Sequence, residues 1–201
     1  MTSNRPWMSG ETPLPEPGMP CLPATWGHLK MVLNALEIED AEYVLLGGFA
    51  MNLHGHSRQT GDIDILVRVT PENNDKWINA LCRMPEGVAE ALRGLSNPFE
   101  PDNADEVPDE DEQDGVIRIH DAFVVDVMPR ACGLTYEELM PYMARAVHDG
   151  IEFNMLTGEG MLLTKRGLRP KDINDRQWLL VNFKTVMATL PNPLPEELPS
   201  P

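Results

Sequence analysis

Two aspartates stand at alternate positions in a segment of β-branched and apolar residues, Asp62 to Val69, which reads D-I-D-I-L-V-R-V. Alternate side chains of a strand share one face, so Asp62 and Asp64 are predicted on one side and Ile63 and Ile65 on the other. Two carboxylates on one face repel each other, and this arrangement is costly unless a cation compensates their charge. The spacing therefore favours a cation site on this strand.

A third carboxylate, Asp126, interrupts an otherwise apolar run from Phe123 to Met128. If that strand lies beside the strand of Asp62, all three carboxylates face the same ions. Such a set can hold two divalent ions roughly 3.5 to 4 Å apart, one activating an acceptor oxygen and one neutralising a triphosphate and its leaving pyrophosphate. This is the chemistry of nucleotidyl transfer. The alternative is a buried acid paired with Arg118 or Arg130.

A glycine pair precedes these strands. Gly47-Gly48 follows the short β-rich run Tyr43 to Leu46 and predicts a turn where bare backbone and a helix N-terminus approach a triphosphate. Arg58 and Thr60 offer a phosphate fork and a hydroxyl donor. The alternatives are an ordinary strand-to-helix turn and simple loop hydrogen bonds.

Alternating strand and helix patterns predict an α/β protein that positions these residues. Helices are expected at about 26–39, 49–53, 71–84, 86–95, 159–166 and 171–187, and strands at 43–46, 62–69, 116–120, 122–128 and 151–156. The strands at 116–120 and 122–128 are read as a hairpin turning at Asp121. A capping box formed by Thr135 and Glu138 predicts a further helix that reaches about Val147.

The order of these motifs resembles the signature of the nucleotidyltransferase (polymerase-beta-like) superfamily, and it is similar to small bacterial nucleotidyltransferase-like proteins that include the abortive-infection toxin group. The residues that carry the resemblance are Gly47-Gly48-Phe49-Ala50, His54-Gly55, Arg58, Thr60 and Asp62-Ile63-Asp64. The segment that contains Lys165, Arg169, Lys171-Asp172 and Asp175 also resembles the helical region that follows the catalytic core in those proteins.

The resemblance implies an α/β (α+β) fold of the nucleotidyltransferase type: a mixed sheet flanked by helices, with a C-terminal helical segment. It implies Mg²⁺ (or Mn²⁺) and an NTP whose α-phosphate is attacked by a hydroxyl of RNA, a protein or a small molecule. The implied ligands of both metals are Asp62 and Asp64, with Asp126 on the acceptor side. The implied triphosphate contacts are Gly47, Gly48, Arg58, Thr60 and Lys165. For Lys165 the alternative is a cation at a helix end.

The net charge of −16 argues at first against a polyanionic partner. However, nine acidic residues and no Lys or Arg lie between Glu100 and Asp114, and without them the balance is −7. We expect Pro-rich tails at 1–23 and 191–201, a nucleotidyltransferase-like core at 24–156 containing an acidic loop at 96–115, and a helical region at 157–190. Three scattered cysteines, read as small buried hydrophobes, and the lack of a signal or membrane segment predict a cytoplasmic protein.

Two other functions fit the same residues. One is a non-catalytic protein of this fold, such as a toxin-antitoxin or phage-defence component, that engages a protein partner through the acidic loop at 100–114. The other is a D-x-D sugar transferase, which needs a larger nucleotide-sugar domain than this chain comfortably supplies.

Overall fold

A mixed sheet of six strands, flanked by helices and followed by a C-terminal helix, forms the described part of the chain. The computed structural model describes residues 22–95, 97–99, 115–167 and 169–188, with the side chains of the last helix described as far as residue 182. The α/β mixed-sheet architecture expected from the sequence is confirmed.

The sheet has the strand order β3-β4-β2-β1-β8-β7. Within it, β2 pairs in parallel with β4, and β1 in parallel with β8, whereas β1–β2, β3–β4 and β7–β8 are antiparallel. A separate two-stranded ribbon joins β5 to β6. The strands are β1 (Tyr43–Leu46), β2 (Asp62–Val67), β3 (Ile117–His120), β4 (Val124–Met128), β5 (Arg130–Ala131), β6 (Leu134–Thr135), β7 (Met143–His148) and β8 (Ile151–Leu156).

Four of the described helices begin after a threonine whose hydroxyl accepts a hydrogen bond from a backbone amide of the first turn, and they bury apolar residues. In the first helix, the Thr25 hydroxyl accepts a hydrogen bond from the His28 amide, and Leu29, Val32 and Leu36 are fully buried. The helices are α1 (Trp26–Ile38), α2 (Gly47–Leu53), α3 (Pro71–Leu81), α4 (Tyr136–Leu139), α5 (Gly158–Leu163) and α6 (Pro170–Ala188), with 3₁₀ turns at Val88–Leu92 and Met140–Tyr142. The helices expected at about 26–39, 49–53, 71–84, 159–166 and 171–187 are present with shifted ends, whereas the segment expected as a helix at 86–95 forms only the 3₁₀ turn.

The prediction of a helix as far as Val147 is wrong. The capping box between Thr135 and Glu138 forms, but α4 ends at Leu139. Pro141 opens a 3₁₀ turn, and the next six residues pair antiparallel with β8, from Met143 opposite Leu156 to His148 opposite Ile151. Sheet pairing has therefore overridden a local helix signal.

The turn between β3 and β4 is also longer than the single residue predicted. It spans residues 121–123, and the Asp121 amide donates to the Phe123 carbonyl at 3.1 Å. The Asp121 carboxylate is buried and accepts hydrogen bonds from the amides of Glu86, Val88 and Ala122. This acid therefore ties the turn to the 3₁₀ segment beside it.

Several predictions fall outside the described residues: both Pro-rich tails up to residue 21 and from residue 189, Cys21, and the acidic segment at 100–114. Of the other two cysteines, Cys82 is half-buried but Cys132 is exposed, and its thiol lies 3.0 Å from the Thr164 carbonyl. The prediction of a buried thiol is therefore wrong for Cys132. Within the described ranges, no helix combines the length and apolarity needed to cross a bilayer.

Candidate metal centre

Three carboxylates converge on one face of the sheet where β2 and β4 run side by side. Asp64 lies directly opposite Asp126 in the parallel register, and Asp62 lies two residues before Asp64. One oxygen from each of the three carboxylates can be chosen so that all lie within 4.8 Å of one another. The predicted neighbouring strands and the predicted convergence of three aspartates are both found.

The alternation of each strand explains why the carboxylates share this face. Ile63 and Ile65 of β2, together with Val125 and Val127 of β4, are completely buried in the hydrophobic core on the other side. Their burial fixes the register, because a slip of one residue would place the carboxylates in the core. The apolar residues between the acids therefore determine the geometry of the site.

The electrostatics of the cluster are unfavourable to three negative charges. Burial, followed by repulsion from the carboxylates of Asp62 and Asp126, raises the pKa of Asp64 to about 7. The Lys165 ammonium and the Gly48 amide oppose this rise only in part. Near neutral pH the site therefore favours either a proton or an added cation.

One cation already contacts the cluster. Arg118 of β3 lies opposite Asp126 and forms a bidentate pair with it, with Nε at 2.8 Å from Oδ1 and Nη2 at 2.6 Å from Oδ2. Its Nη2 is also 3.7 Å from an oxygen of Asp62. The hydrogen bond and the charge of Asp126 raise the pKa of Arg118. The Asp126–Arg118 ion pair, which was the alternative interpretation of Asp126, therefore forms, and it lies within the carboxylate cluster.

Neighbouring side chains leave no room for a Cβ atom at either glycine of the turn. Gly47 has φ +68°, and a Cβ atom there would lie 1.8 Å from Asp64 Oδ2. A Cβ on Gly48 would lie 2.3 Å from the Thr60 hydroxyl oxygen. The Gly48 amide approaches Asp64 Oδ2 at 3.4 Å. The predicted turn is present, and its bare backbone leaves room for the side chains of Asp64 and Thr60.

Thr60 and Arg58 flank this turn. The Thr60 hydroxyl donates within 3.2 Å to the backbone or side-chain oxygen of Asp62. Arg58 Nε lies 3.3 Å from Asp175 on α6, and its Nη2 would be 3.1 Å from a Cβ on Gly48. Both residues therefore lie at the glycine turn.

Lys165 is a buried cation, placed just beyond the end of α5. Its Nζ lies 3.2 Å from Asp175 and 3.4 Å from Asp172, and its charge acts on Asp64. Its ammonium is therefore enclosed by the two acids of α6 and lies within electrostatic range of Asp64.

The histidines of the loop after α2 are not part of the carboxylate cluster. His54 is buried with its Nε2 at 2.8 Å from the Leu156 carbonyl oxygen, and burial lowers the pKa of His54. His56 stacks on Trp178 of α6 with the ring centres 4.7 Å apart. Across the described residues, the candidate metal ligands are carboxylates alone.

Comparison with known proteins yields similarities to solved structures but no sequence match. No protein-family description matches the sequence, and no curated protein does. Among solved structures, the solution structure of the antibiotic-resistance factor ANT(2'')-Ia superposes with a TM-score of 0.47 and 13% sequence identity, covering 80% of this chain and 86% of that one. At that TM-score and identity the likeness does not indicate a function, which is inferred here from the geometry of the site.

The sequence did not assign roles to the two buried acids of α6, Asp172 and Asp175, each 1% exposed. A signal was present: two aspartates three residues apart open a helix shortly after Lys165 and Arg169. That spacing places both acids on one helix face, yet the partners of Asp175 in the loop at residues 56–58 are distant in sequence. The sequence pattern alone therefore did not identify the partners of Asp175.

Proposed function

We propose that this protein is a divalent-metal-dependent nucleotidyltransferase that moves an NMP group from an NTP to a hydroxyl acceptor. The observation that supports this most strongly is the convergence of Asp62, Asp64 and Asp126 beside a glycine turn and two buried or half-buried cations, Arg58 and Lys165. Carboxylates would hold the metal and the cations would bind the triphosphate.

The donor set fits a hard divalent ion. The candidate ligand atoms are carboxylate oxygens, the type that Mg²⁺ and Mn²⁺ prefer. The pKa of Asp64, raised to about 7, reflects repulsion and burial that a divalent ion at this place would relieve. A bound Mg²⁺ or Mn²⁺ supplies positive charge for the triphosphate and increases the acidity of the acceptor hydroxyl.

Each residue of the site has a role in the proposed reaction. Asp62 and Asp64 hold the metal, and Asp126 completes the set on the acceptor side and takes the proton of the acceptor hydroxyl. The acceptor oxygen forms a bond to the α-phosphorus as the bond from that phosphorus to the leaving pyrophosphate breaks. Arg58 and Lys165 balance the charge of the β- and γ-phosphates, which leave as pyrophosphate.

The acceptor in this proposal is a hydroxyl of RNA, a protein or a small molecule. A role as a toxin-antitoxin or phage-defence component belongs to the alternative, a non-catalytic protein of this fold that acts by binding a partner.

The test is a transfer assay with NTPs labelled at the α-phosphate, Mg²⁺ or Mn²⁺ and a cell extract. Wild type is expected to label an acceptor, and the double variant Asp62→Asn, Asp64→Asn is expected to lose the signal. The exposed Asp75 of α3, changed to Asn, is the matched control that keeps it. Absence of labelled product together with absence of NTP binding by calorimetry would reject the proposal. A cellular phenotype that survives the double change would favour the non-catalytic binding function.

A further inference from the structure

The buried carboxylate of Asp175 on α6 contacts Lys165, Arg58 and the ring of His56. Asp175 is 1% exposed, and its oxygens lie 3.2 Å from Lys165 Nζ, 3.3 Å from Arg58 Nε and 3.6 Å from His56 Nε2. These partners come from two separate segments, the loop after α2 and the connection between α5 and α6. Asp175 therefore joins both segments to the C-terminal helix.

The geometry of Arg58 shows which part of its guanidinium remains available. Asp175 faces the Nε edge as an ion pair at 3.3 Å rather than through a hydrogen bond, and among the described residues no hydrogen bond from the Nη groups of Arg58 is found. The Nη2 atom lies beside the glycine turn, 3.1 Å from the place that a Cβ on Gly48 would take. A planar guanidinium held along one edge keeps the direction of its remaining donors, so the free edge is preset toward the turn.

A second contact from α6 holds the same loop. The ring of His56, which neighbours Asp175, stacks on Trp178 one helical turn further along α6, with centres 4.7 Å apart. The loop is therefore fixed to α6 both by charge and by an aromatic contact.

Asp172 provides an internal comparison. It is equally buried on the same helix face and it contacts Lys165 at 3.4 Å and Arg169 at 2.7 Å, but the structure records no contact between Asp172 and Arg58. Loss of either acid removes one buried negative charge. Only Asp175 connects both cations that face the triphosphate in the proposed function.

We propose that Asp175 is a positioning residue for the NTP: it holds Arg58 and Lys165 in the orientation that binds the triphosphate, and it does so without touching substrate. This inference rests on the proposed function. It predicts that α6 controls nucleotide affinity much more strongly than the metal affinity of the carboxylate cluster.

The experiment measures two affinities for each variant of the full chain. Calorimetry with the α,β-methylene analogues of ATP, GTP, CTP and UTP in Mg²⁺ reports nucleotide binding, and titration with Mn²⁺ alone reports the carboxylate site. Asp175→Asn is expected to weaken analogue binding about tenfold or more while Mn²⁺ affinity changes less than about twofold, and Asp172→Asn is expected to weaken it less. Because Asp175 acts in part through Arg58, the losses of analogue affinity in Asp175→Asn and Arg58→Gln are expected to be less than additive in the double variant.

Unchanged analogue affinity in folded Asp175→Asn, or fully additive losses in the double variant, would overturn the inference while leaving the proposed function in place. If Asp175→Asn does not fold, Asp175→Glu keeps the charge and displaces the carboxylate. A several-fold loss of analogue affinity there supports positioning, and wild-type affinity overturns it. Failure of the wild type to bind any analogue would instead reject the proposed function, and the inference with it.

Discussion

The change Asp64→Asn tests the electrostatics of the carboxylate cluster in the absence of metal. In the folded protein the pKa of Asp64 is raised from 3.8 to about 7, first by burial and then by the carboxylates of Asp62 and Asp126. The folded state therefore binds a proton that the unfolded chain has released. The stability from this effect is fully present below pH 4 and is lost as the pH rises through 7.

The size of the effect follows from the shift. About three pH units at 1.36 kcal/mol each correspond to roughly 4 kcal/mol, and water reaching the partly exposed carboxylate reduces this to about 2–4 kcal/mol. Asparagine is nearly isosteric, carries no charge and can still accept a hydrogen bond from the Gly48 amide. The variant should therefore already be more stable than the wild type by about 1 kcal/mol at pH 5, because the unfolded carboxylate ionises above pH 4, and by about 2–4 kcal/mol at pH 8.

The assay is urea unfolding in EDTA at pH 5 and pH 8, with Asp75→Asn as the control for removal of an exposed acid. Adding Mg²⁺ at pH 8 should stabilise the wild type and not the Asp64→Asn variant, because the ion replaces the missing proton only where the carboxylate is present. Equal stabilities of wild type and variant at both pH values would refute the reasoning about mutual repulsion.

Three further predictions concern neighbouring residues. Gly47→Ala should cost more stability than Gly150→Ala by about 1–3 kcal/mol and should weaken Mn²⁺ binding, because both glycines have positive φ but only Gly47 has an acid, Asp64, in the place of the new Cβ. Arg118→Gln should strengthen Mn²⁺ binding about fivefold in a direct titration, because removing a half-exposed ion pair worth about 1 kcal/mol frees a carboxylate for the metal. Asp121→Ala should lower the free energy of unfolding by about 2–4 kcal/mol with Mn²⁺ affinity unchanged, because buried amides lose their acceptor.

A different experimental result would contradict each of these three predictions. Equal losses at the two glycines would mean that backbone strain alone matters at the turn. Weaker Mn²⁺ binding without Arg118 would mean that the guanidinium orders the carboxylates rather than competing with the ion. A loss of Mn²⁺ affinity on changing Asp121 would mean that its turn supports the site directly.

Local patterns were sufficient for the part of the site that depends on strand alternation. The period of two around Ile63 and Ile65 placed Asp62 and Asp64 on one face, and the lone acid in the next apolar run predicted its convergence with them. The burial of those apolar residues fixes the register, so the prediction from pattern and the observed geometry have the same physical cause.

Other features depend on tertiary contacts that a pattern does not contain. The segment from Met143 to His148 becomes a strand because β8 offers a pairing edge after Pro141. Asp175 acquires its role from partners in a loop far away in sequence, and spacing along one helix cannot specify them. The glycine turn was predicted, but its steric reason, the side chain of Asp64, appears only when the strands are assembled.

The most direct test of a shared metal site is Mn²⁺ binding, followed by electron paramagnetic resonance, to wild type and to Asp126→Asn. Asp126 belongs to a different strand from Asp62 and Asp64. The Mn²⁺ affinity should therefore depend on Asp126 only if all three carboxylates bind the same ion. Saturable binding by wild type, retained by Asp75→Asn and weakened about tenfold or more in Asp126→Asn, is the predicted result. Equal Mn²⁺ affinity of wild type and Asp126→Asn would contradict it.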